Sequence, residues 1–445
     1  MLPPFWGFPP ATNAMLRQIQ EDLERMKGRY DAVFQALLGS ATVAVAQTPA
    51  AVVYTENKLR LLHYHPVVEQ RSPVPLLIVP SLINRYYLFD LAPGKSLVEY
   101  LVGRGIDVYM LDWGVPGPED RSTTFDHYIT GYLRRAVQQV RSLSGQGRIN
   151  LLGYSIGGTF TAMFSALYGH YVQGLVQLAA PINFHDSGII SQWTRKDRFN
   201  VDLLVDTLGN MPAELLQASF RMLTPMLQIM QQIALANQTG DTQAVQDLLA
   251  LQTWISDGVS FPGEAYRTYV KDCYQENYLV QSRLVVGGQR VDLARITCPL
   301  LTITAAKDWI CPPESATVLN DLVASVDKYV LELPGGHVGI IAGRRAADHL
   351  WPRLAEWLIA HATPSPPAAE DLPTHRHNST DIAAALRAGI AVAQQVDASQ
   401  TMLEMASPLE AMRQAQLIGP GADSSSPAGQ PASAESPPAV SDTSQ

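Results

Sequence analysis

Residues 149–168, INLLGYSIGGTFTAMFSALY, form the stretch that decides the fold. It opens on an apolar run of the kind that forms a buried strand, and residues 159–168 have the composition of a helix. Between them, Gly153 and Gly157 flank Ser155 at two residues on either side. A strand that turns sharply into a helix needs glycines there, because a Cβ would clash with the neighbouring strand and helix. The stretch therefore predicts a strained turn that projects the Ser155 hydroxyl above a sheet.

Short apolar runs recur on both sides of this stretch. Most are continuously apolar rather than alternating, which is expected of strands that are covered on both faces. Helical patterns at 96–104 and 125–143 lie between them and supply the crossovers of a parallel sheet. We therefore predict an α/β protein with a mostly parallel, doubly wound sheet. The predicted strands are 76–79, 108–111, 149–153, 175–178, 300–304 and 329–333.

The alternation of strands and helices is interrupted from 187 to 292, where helical patterns crowd together. They cover 201–208, 212–235 with a break at Pro225, and 242–256. An all-helical insertion between two strands predicts a cap over the strand ends, where open α/β sheets bind ligands. Ordinary packing layers are the alternative, and most of the leucines and methionines belong to the core in either case.

The two ends of the chain differ from its middle. A Pro-rich start is followed by an amphipathic helix, which either lies on its own domain or pairs with another subunit. Its apolar stripe is Leu16, Ile19, Leu23, Met26, Tyr30, Val33 and Leu37. The predicted organisation is an N-terminal segment (1–50), the two parts of the core (51–186 and 293–360) around the cap (187–292), a linker with marginal helices (361–418) and a disordered tail (419–445).

Composition excludes several classes of protein. The chain has 445 residues, 47% of them apolar and 16% charged, so a sizeable buried core is expected. Its net charge is −9 and it has no basic run, which argues against nucleic acid as a partner, because phosphate binding needs a basic patch. Its start does not resemble a signal peptide, and no apolar stretch reaches the roughly 20 residues of a membrane span. We expect neither export nor a transmembrane helix.

Cysteine and histidine usage bear on compartment and cofactors. The chain has 3 cysteines, an odd and sparse number that argues against a disulfide scaffold and suits a reducing cytoplasm. His375 and His377 are too few to indicate a metal site. We therefore expect a cytoplasmic protein that holds neither a metal ion nor a cofactor.

A serine becomes a good nucleophile only when a base takes its proton. In a fold with this turn, the acid and the histidine follow the serine in that order, each after a later strand. Asp308 lies four residues beyond the predicted strand 300–304, and His337 lies four residues beyond 329–333. We therefore predict that Ser155, Asp308 and His337 form a catalytic triad. The ordered coincidence of all three carries this prediction, since an isolated Asp or His is more often structural.

An oxyanion hole requires two hydrogen-bond donors. One is expected to be the backbone N–H of Ile156, directly after the nucleophile. The second is expected from the loop after strand 76–79, where we nominate Leu82, with Ser81 as the alternative. The sequence does not separate these two.

Asp112 is a competing candidate for the acid, because it also follows a predicted strand, 108–111. It begins the triplet Asp-Trp-Gly, whose residue types favour a loop. We therefore rank Asp112 below Asp308 and predict that it shapes its own turn.

With these residues in place, the chain resembles the catalytic subunit of polyhydroxyalkanoate synthases, most closely the two-subunit type called class III. The resemblance covers about residues 52–358 and includes the cap; residues 360–445 have no counterpart. It is carried by VPSLINRYYLFDLAPGKSLVEYLVGRGIDVYMLDWG (79–114), LLGYSIGG (151–158), VDTLGNMPAELL (205–216), GGQRVDLARITCP (287–299), AAKDWICPP (305–313) and PGGHVGI (334–340).

The resemblance implies an α/β-hydrolase fold with a helical cap and no metal. It implies polymerisation of (R)-3-hydroxyacyl-CoA into a growing polyester chain on cytoplasmic granules, and a second synthase subunit or a homodimer as partner. By the same resemblance, His337 deprotonates the nucleophile, and Asp308 orients His337 or activates the hydroxyl of the incoming monomer. The family's nucleophile is a cysteine in a G-x-C-x-G turn, whereas this chain has Ser155.

No other cysteine can take the place of that nucleophile. Cys298 precedes a predicted strand and Cys311 follows the acid loop, so both are interpreted as structural or incidental. Three hypotheses follow: a synthase-like acyltransferase that works through serine, a serine hydrolase that cleaves 3-hydroxyacyl thioesters or polyester, and a non-catalytic protein bound to granules or to another subunit. Retention of Asp308 and His337 disfavours the third.

Overall fold

The computed structural model describes residues 44–69, 72–223, 242–343 and 345–365. Its strands are β1 (Ala50–Glu56), β2 (Leu59–Tyr64), β3 (Leu76–Val79), β4 (Val108–Asp112), β5 (Ile149–Tyr154), β6 (Val172–Leu178), β7 (Val285–Val286), β8 (Gln289–Arg290), β9 (Leu300–Ala305) and β10 (Lys328–Leu333). Among the described residues, an 8-stranded sheet has the order β1-β2-β4-β3-β5-β6-β9-β10. The pairs β1–β2 and β2–β4 are antiparallel, and the rest of this sheet is parallel.

The helices cover both faces of the sheet and make up most of the insertion at 187–292. The prediction of an all-helical insertion is wrong in one respect, because the insertion also holds the short antiparallel hairpin of β7 and β8. The α-helices are α1 (Leu97–Gly103), α2 (Arg134–Ser144), α3 (Ile156–Tyr168), α4 (Ile189–Trp193), α5 (Val201–Leu208), α6 (Ala213–Leu223), α7 (Thr242–Ser256), α8 (Gly263–Thr268), α9 (Pro313–Leu322), α10 (Gly339–Ala342), α11 (Ala346–His349) and α12 (Trp351–Ala360). Short 3₁₀ turns lie at Tyr86–Phe89, Pro118–Ser122, Gly169–Tyr171 and Leu293–Arg295, and π-helical turns at His127–Leu133 and Tyr269–Gln275.

All six predicted strands are confirmed, as β3 to β6, β9 and β10. Every residue of β3, β4, β5, β6 and β9 is buried, as their continuous apolar runs predict. The strand β10 differs, because it lies at the edge of the sheet and most of its residues are exposed. The hairpin of β1 and β2 was not predicted. Exposure alternates along β1, so a search for continuous apolar runs does not detect it.

Two groups of buried side chains pack on opposite faces of the sheet. In β3, Leu77 and Val79 belong to one group, whereas Leu76 and Ile78 belong to the other. This alternation follows from the pleat of a strand, which points successive side chains to opposite faces. The sheet is therefore covered on both sides, as the doubly wound prediction requires.

The predicted helices are largely confirmed. The helix predicted at 96–104 spans Leu97–Gly103, and the Ser96 hydroxyl caps it by accepting a hydrogen bond from the Glu99 N–H at 2.9 Å. The pattern at 125–143 is helical, but its first half is the π-helical turn His127–Leu133. The helices predicted at 201–208 and 242–256 have those same bounds.

Other predictions fall wholly or partly outside the described residues. The pattern at 212–235 is helical over Ala213–Leu223, whereas the break at Pro225 lies beyond the described part. The stripe from Leu16 to Leu37, the marginal helices at 380–417, His375, His377 and the tail 419–445 also lie outside it. The predicted domain boundaries stay predictions.

Candidate active site

Ser155 occupies the tight turn between β5 and α3. Its φ of 53° and ψ of −127° are a strained backbone conformation for a residue with a side chain. A Cβ on Gly157 would overlap the carbonyl oxygen of Val79, and one on Gly153 would lie 2.5 Å from the Cα of Gly158. The glycines are therefore required by close backbone approach, as the sequence predicts. The helix α3 begins at Ile156, earlier than the predicted start at residue 159.

The first N–H groups of α3 lie beside Ser155. The Ser155 carbonyl accepts hydrogen bonds from the N–H groups of Gly158 (2.8 Å) and Thr159 (3.2 Å). The N–H of Ile156 has no backbone acceptor among the described residues. Leu82 is buried in the same apolar group as Ile156. Both stay the predicted oxyanion donors, with Ser81 as the alternative to Leu82.

Asp308 and His337 meet, as predicted. The Nδ1 atom of His337 lies 2.7 Å from Oδ2 of Asp308, and the Asp308 side chain is fully buried. The other carboxylate oxygen, Oδ1, accepts hydrogen bonds from the N–H groups of Ile310 (3.0 Å) and Cys311 (2.9 Å). Because both carboxylate oxygens have hydrogen-bond partners, Asp308 fixes the orientation of the imidazole. Nε2 of His337 is then left for a substrate or a nucleophile.

Tyr154 brings the His337 ring to the turn that holds Ser155. The centroids of the two rings are 5.1 Å apart, and the Tyr154 hydroxyl donates to the His337 carbonyl oxygen at 3.4 Å. Burial, followed by the charge of Asp308, raises the pKa of Tyr154 well above its usual range, so the phenol stays a donor. No hydrogen bond joins Ser155 to His337 within the described part of the chain, and such bonds often tighten only when substrate binds.

The position of His337 beside Tyr154 is a contact that sequence reasoning missed. Tyr154 lies inside the GYSIGG motif, but nothing in that motif says which ring the tyrosine contacts. The partner comes from the loop after β10, separated from Tyr154 by β6 and β9 in the sheet. Only the strand order brings the two rings together.

Asp112 is not part of this group. Its Oδ2 accepts hydrogen bonds from the Arg60 guanidinium, including one of 3.0 Å from Nε, and its Oδ1 accepts from the Gly114 N–H at 3.0 Å. It is the last residue of β4, which is separated from β5 by β3 on the side of the sheet away from β10. The prediction that Asp112 shapes its own turn is confirmed.

The three cysteines are poor candidates for a nucleophile. A cysteine attacks as its thiolate, so a raised pKa lowers its reactivity. Burial raises the pKa of Cys273 and of Cys311 well above the usual range, and the charge of Asp308 adds to the effect at Cys311. Burial also raises the pKa of Cys298 to about 12. The cysteines therefore do not replace Ser155 as the predicted nucleophile.

A cavity of about 640 Å³ with a mixed polar and apolar lining lies between the loop after β4 and the helical insertion. Its charged lining consists of Arg121, Asp206, Glu264 and Arg267. Arg267 is already paired with Asp206 and Glu264. None of the predicted triad residues lines it, and its charges are largely satisfied within the protein, so we assign no chemistry to it.

The strand order, the turn at Ser155 and the acid–histidine pair define the α/β hydrolase fold. A family model described as alpha/beta hydrolase fold matches residues 74–343, and one described as poly-beta-hydroxybutyrate polymerase (PhaC) N-terminus matches residues 13–101. A solved monoacylglycerol lipase from Paleococcus ferrophilus is 15% identical, with a TM-score of 0.41, and covers 69% of this chain and 100% of its own. That likeness is too distant to bear on the reaction.

Curated relatives are closer. The poly(3-hydroxyalkanoate) polymerase subunit PhaC of Haloferax mediterranei is 38% identical over 347 residues, which are 76% of this chain and 70% of the relative. The protein of the same name from Allochromatium vinosum is 38% identical over 326 residues, 72% of this chain and 91% of the relative. The chain therefore belongs to the poly(3-hydroxyalkanoate) polymerase family, whose members are acyltransferases on an α/β hydrolase scaffold. In the described residues, no helix is both long and apolar enough to cross a membrane.

Proposed function

We propose that the protein is an acyltransferase of the polyhydroxyalkanoate synthase type, which acts on (R)-3-hydroxyacyl-CoA through Ser155, His337 and Asp308. The hydrogen bond of 2.7 Å between His337 and Asp308 carries this proposal, because it lies at the strand ends where the strained turn holds Ser155. Membership of the polymerase family supports the substrate class.

The first half of the reaction loads the enzyme. The Ser155 hydroxyl attacks the thioester carbonyl while Nε2 of His337 takes its proton, and the oxyanion is stabilised by the N–H of Ile156 and a second donor at Leu82. The carbon–sulfur bond then breaks, and the CoA thiolate leaves with the proton from His337. The product is an oxoester between Ser155 and the 3-hydroxyacyl group.

The second half extends the polymer. The hydroxyl of another acyl group attacks the Ser155 ester while His337 removes its proton, and the proton returns to the Ser155 oxygen as the ester bond breaks. Asp308 keeps the imidazole oriented in both halves. We propose that these steps use no metal and no cofactor beyond the CoA that the substrate carries.

Serine in place of the cysteine that the resemblance implies changes the energetics. Transfer from CoA sulfur to the Ser155 oxygen is downhill, because a thioester becomes an oxoester. Transfer onward to a hydroxyl is close to thermoneutral, since one oxoester replaces another. Chain growth is therefore allowed, while return of the acyl group to a thiol is unfavourable.

The same serine favours a second candidate function. Hydrolysis of 3-hydroxyacyl thioesters or of polyester would use the same three residues, with water in place of the hydroxyl. The outcome depends on whether the insertion at 187–292 keeps water from the acyl-enzyme. Ser155 is the observation that supports this alternative.

One assay separates the candidates. Purified protein is supplied with (R)-3-hydroxybutyryl-CoA, thiol release is followed, and the acyl product is analysed. Insoluble polyester supports the acyltransferase, and free hydroxy acid supports the hydrolase. Thiol release no greater than that of a Ser155→Ala variant would overturn both and leave a non-catalytic binding protein. A Ser155→Cys variant that gains polymerisation would show that the remaining site is competent for synthesis.

We also propose a setting for the reaction. The protein would work with a second synthase subunit or as a homodimer at the surface of polyester granules in the cytoplasm; relatives named as polymerase subunits support the former. A fluorescent fusion in polyester-producing cells should outline the granules, and a diffuse signal would contradict the location. The native mass of the purified protein, alone and after co-expression, would identify the assembly.

A further inference from the structure

The loop that carries the predicted oxyanion residue Leu82 is bound by a segment of the helical insertion, residues 254–259. The backbones of the two segments pair directly. The N–H of Val259 donates to the Ile83 carbonyl at 3.2 Å, and Asn84 forms an isolated antiparallel bridge with Gly258. The segment therefore fixes the backbone directly after Leu82.

Side chains extend this contact along the loop. The indole N–H of Trp254 donates to the Arg85 carbonyl at 2.8 Å, and the Tyr87 hydroxyl donates to Oδ2 of Asp257 at 2.8 Å. The Arg85 guanidinium lies 3.3 Å from the same Asp257 oxygen. Trp254 and Tyr87 are both buried. Burial, followed by the bond to Asp257, raises the pKa of Tyr87 well above its usual range, so the phenol remains a donor.

The far side of the segment is anchored within the insertion. The Gln217 side chain, on α6, donates to the carbonyls of Ile255 (3.0 Å) and Ser256 (3.1 Å). A Cβ on Gly258 would overlap the Gln217 amide nitrogen, so the two are in close contact. The segment is thus held on one side by the insertion and on the other by the loop after Leu82.

Other hydrogen bonds between the insertion and the core do not reach a loop that carries a predicted oxyanion donor. The Ala265 N–H bonds the Thr123 carbonyl at 3.0 Å, and the Asn210 side chain bonds the Gly117 carbonyl at 2.7 Å. Those loops carry no predicted catalytic group. An oxyanion donor must lie about 2.7–3.1 Å from the oxyanion, a range only about 0.4 Å wide, so the position of the loop that carries Leu82 must be closely controlled.

We propose that residues 254–259 form an oxyanion-loop clamp, in which Asp257 and Tyr87 are positioning residues for the second oxyanion donor. The clamp couples the placement of the helical insertion to the assembly of the oxyanion hole. The inference rests on the proposed chemistry of Ser155. It does not depend on whether the acyl group passes to a hydroxyl or to water, because both routes pass through the same oxyanion.

The test compares Tyr87→Phe, Asp257→Ala and the double variant with the unchanged protein. Thiol release from (R)-3-hydroxybutyryl-CoA gives kcat and KM, and inhibition by butylboronic acid gives Ki. The Ser155 oxygen bonds to the boron atom of this inhibitor, and the resulting tetrahedral anion mimics the reaction intermediate. We expect kcat to fall about ten-fold with KM little changed, since loss of a whole donor costs about 10²–10³. Ki should rise by a similar factor, and the double variant should be no worse than the worse single one.

Matched controls separate positioning from folding. Tyr54→Phe removes a similar bond, in which the Tyr54 hydroxyl donates to Glu56 at 2.7 Å on the far edge of the sheet, and should leave kcat and Ki unchanged. Trp254→Phe removes one N–H from the clamp and should act in the same direction as Tyr87→Phe. Melting temperatures are measured for every variant.

The outcomes distinguish two kinds of failure. If Tyr87→Phe and Trp254→Phe lower the melting temperature while kcat and Ki stay unchanged, the contact is structural and the clamp is overturned. If Ser155→Ala retains thiol release and boronate binding, the proposed chemistry itself is wrong. Parallel changes in kcat and Ki, absent in Tyr54→Phe, support the clamp.

Discussion

Two turns of this molecule both begin with an aspartate followed by a tryptophan, but the two aspartates bind different partners. Asp112-Trp113-Gly114 begins at the last residue of β4, and Asp308-Trp309-Ile310 begins three residues beyond the end of β9. In both turns the aspartate is buried, and its Oδ1 accepts an N–H from the residue two positions on, at 3.0 Å. The two tryptophans differ in exposure. Trp113 is buried and its indole N–H donates to the Pro80 carbonyl, whereas Trp309 is exposed.

The two turns differ most in the residue that contacts Oδ2 of the aspartate. Asp112 bonds Arg60, from the neighbouring β2, whereas Asp308 bonds His337, from the loop after β10. A guanidinium keeps its charge at any physiological pH, so the first pair is a fixed structural link. An imidazole nitrogen can take a proton from a reacting group and return it, which a guanidinium cannot do, so the second pair can serve catalysis. One local turn therefore acquires two roles, according to the partner that the sheet brings to it.

The largest expected effect tests this contrast directly. Asp308→Asn keeps the shape of the turn but no longer holds the imidazole in the correct tautomer, so kcat for thiol release should fall about 10³–10⁴-fold. Asp112→Asn should change kcat less than about three-fold, because it touches no reacting group. Steady-state kinetics on both variants, with melting temperatures to confirm folding, provide the measurement. Equal losses of activity would show that the two turns do not differ in role.

A second change separates the backbones of the turns. Gly114 has a φ of 74°, and a Cβ there would overlap the Lys58 carbonyl, whereas the same position of the other turn is Ile310. Gly114→Ala should lower the free energy of unfolding by about 2–3 kcal/mol, combining the left-handed backbone with a steric clash. Urea unfolding gives the value.

A matched control comes from Gly103→Ala, at the end of α1. A Cβ on Gly103 meets no other atom within 4 Å, so this variant should be as stable as the unchanged protein or slightly more so. A small effect of Gly114→Ala would mean that the Asp112 turn tolerates rearrangement and is not a rigid structural link.

A third prediction concerns Arg60, the charged partner of Asp112. Arg60→Met should lower the free energy of unfolding by about 1–2 kcal/mol, because the buried Asp112 carboxylate loses its charged partner while the Arg60 side chain is itself 45% exposed. The kcat of the folded variant should be unchanged. Chemical unfolding and thiol release are measured on the same preparation. A loss of activity without a loss of stability would assign Asp112 a part in catalysis.

The sequence predicts these turns better than it predicts their partners. Five strands are found because each is buried along its whole length and therefore continuously apolar, and the glycines around Ser155 reveal the strained turn. Asp308 and His337 are predicted because each follows a strand in the expected order. These signals are local, and each can be read within a few residues.

The contacts that distinguish the two turns, and those of the clamp, join residues that are far apart in the sequence. Arg60 lies on β2, whose hairpin partner β1 alternates between exposed and covered residues and gives no continuous apolar run. Tyr87 and Asp257 are 170 residues apart in sequence and meet only because the helical insertion returns to the loop after Leu82. Such partners follow from strand order and chain return, which no window of the sequence contains.

The smallest expected effect concerns Cys311, which directly follows the turn Asp308-Trp309-Ile310. Its N–H donates to Asp308, while burial and the Asp308 charge raise the pKa of its thiol well above the usual range. Iodoacetamide reacts with thiolates, so treatment of the folded protein at pH 8 should leave thiol release unchanged. A fluorophosphonate should abolish it, because an activated serine oxygen attacks its phosphorus and displaces fluoride, which leaves the serine blocked as a phosphonate ester. Inactivation by iodoacetamide that Cys311→Ala prevents would place a reactive thiol directly after this turn, and the nucleophile would then have to be sought there rather than at Ser155.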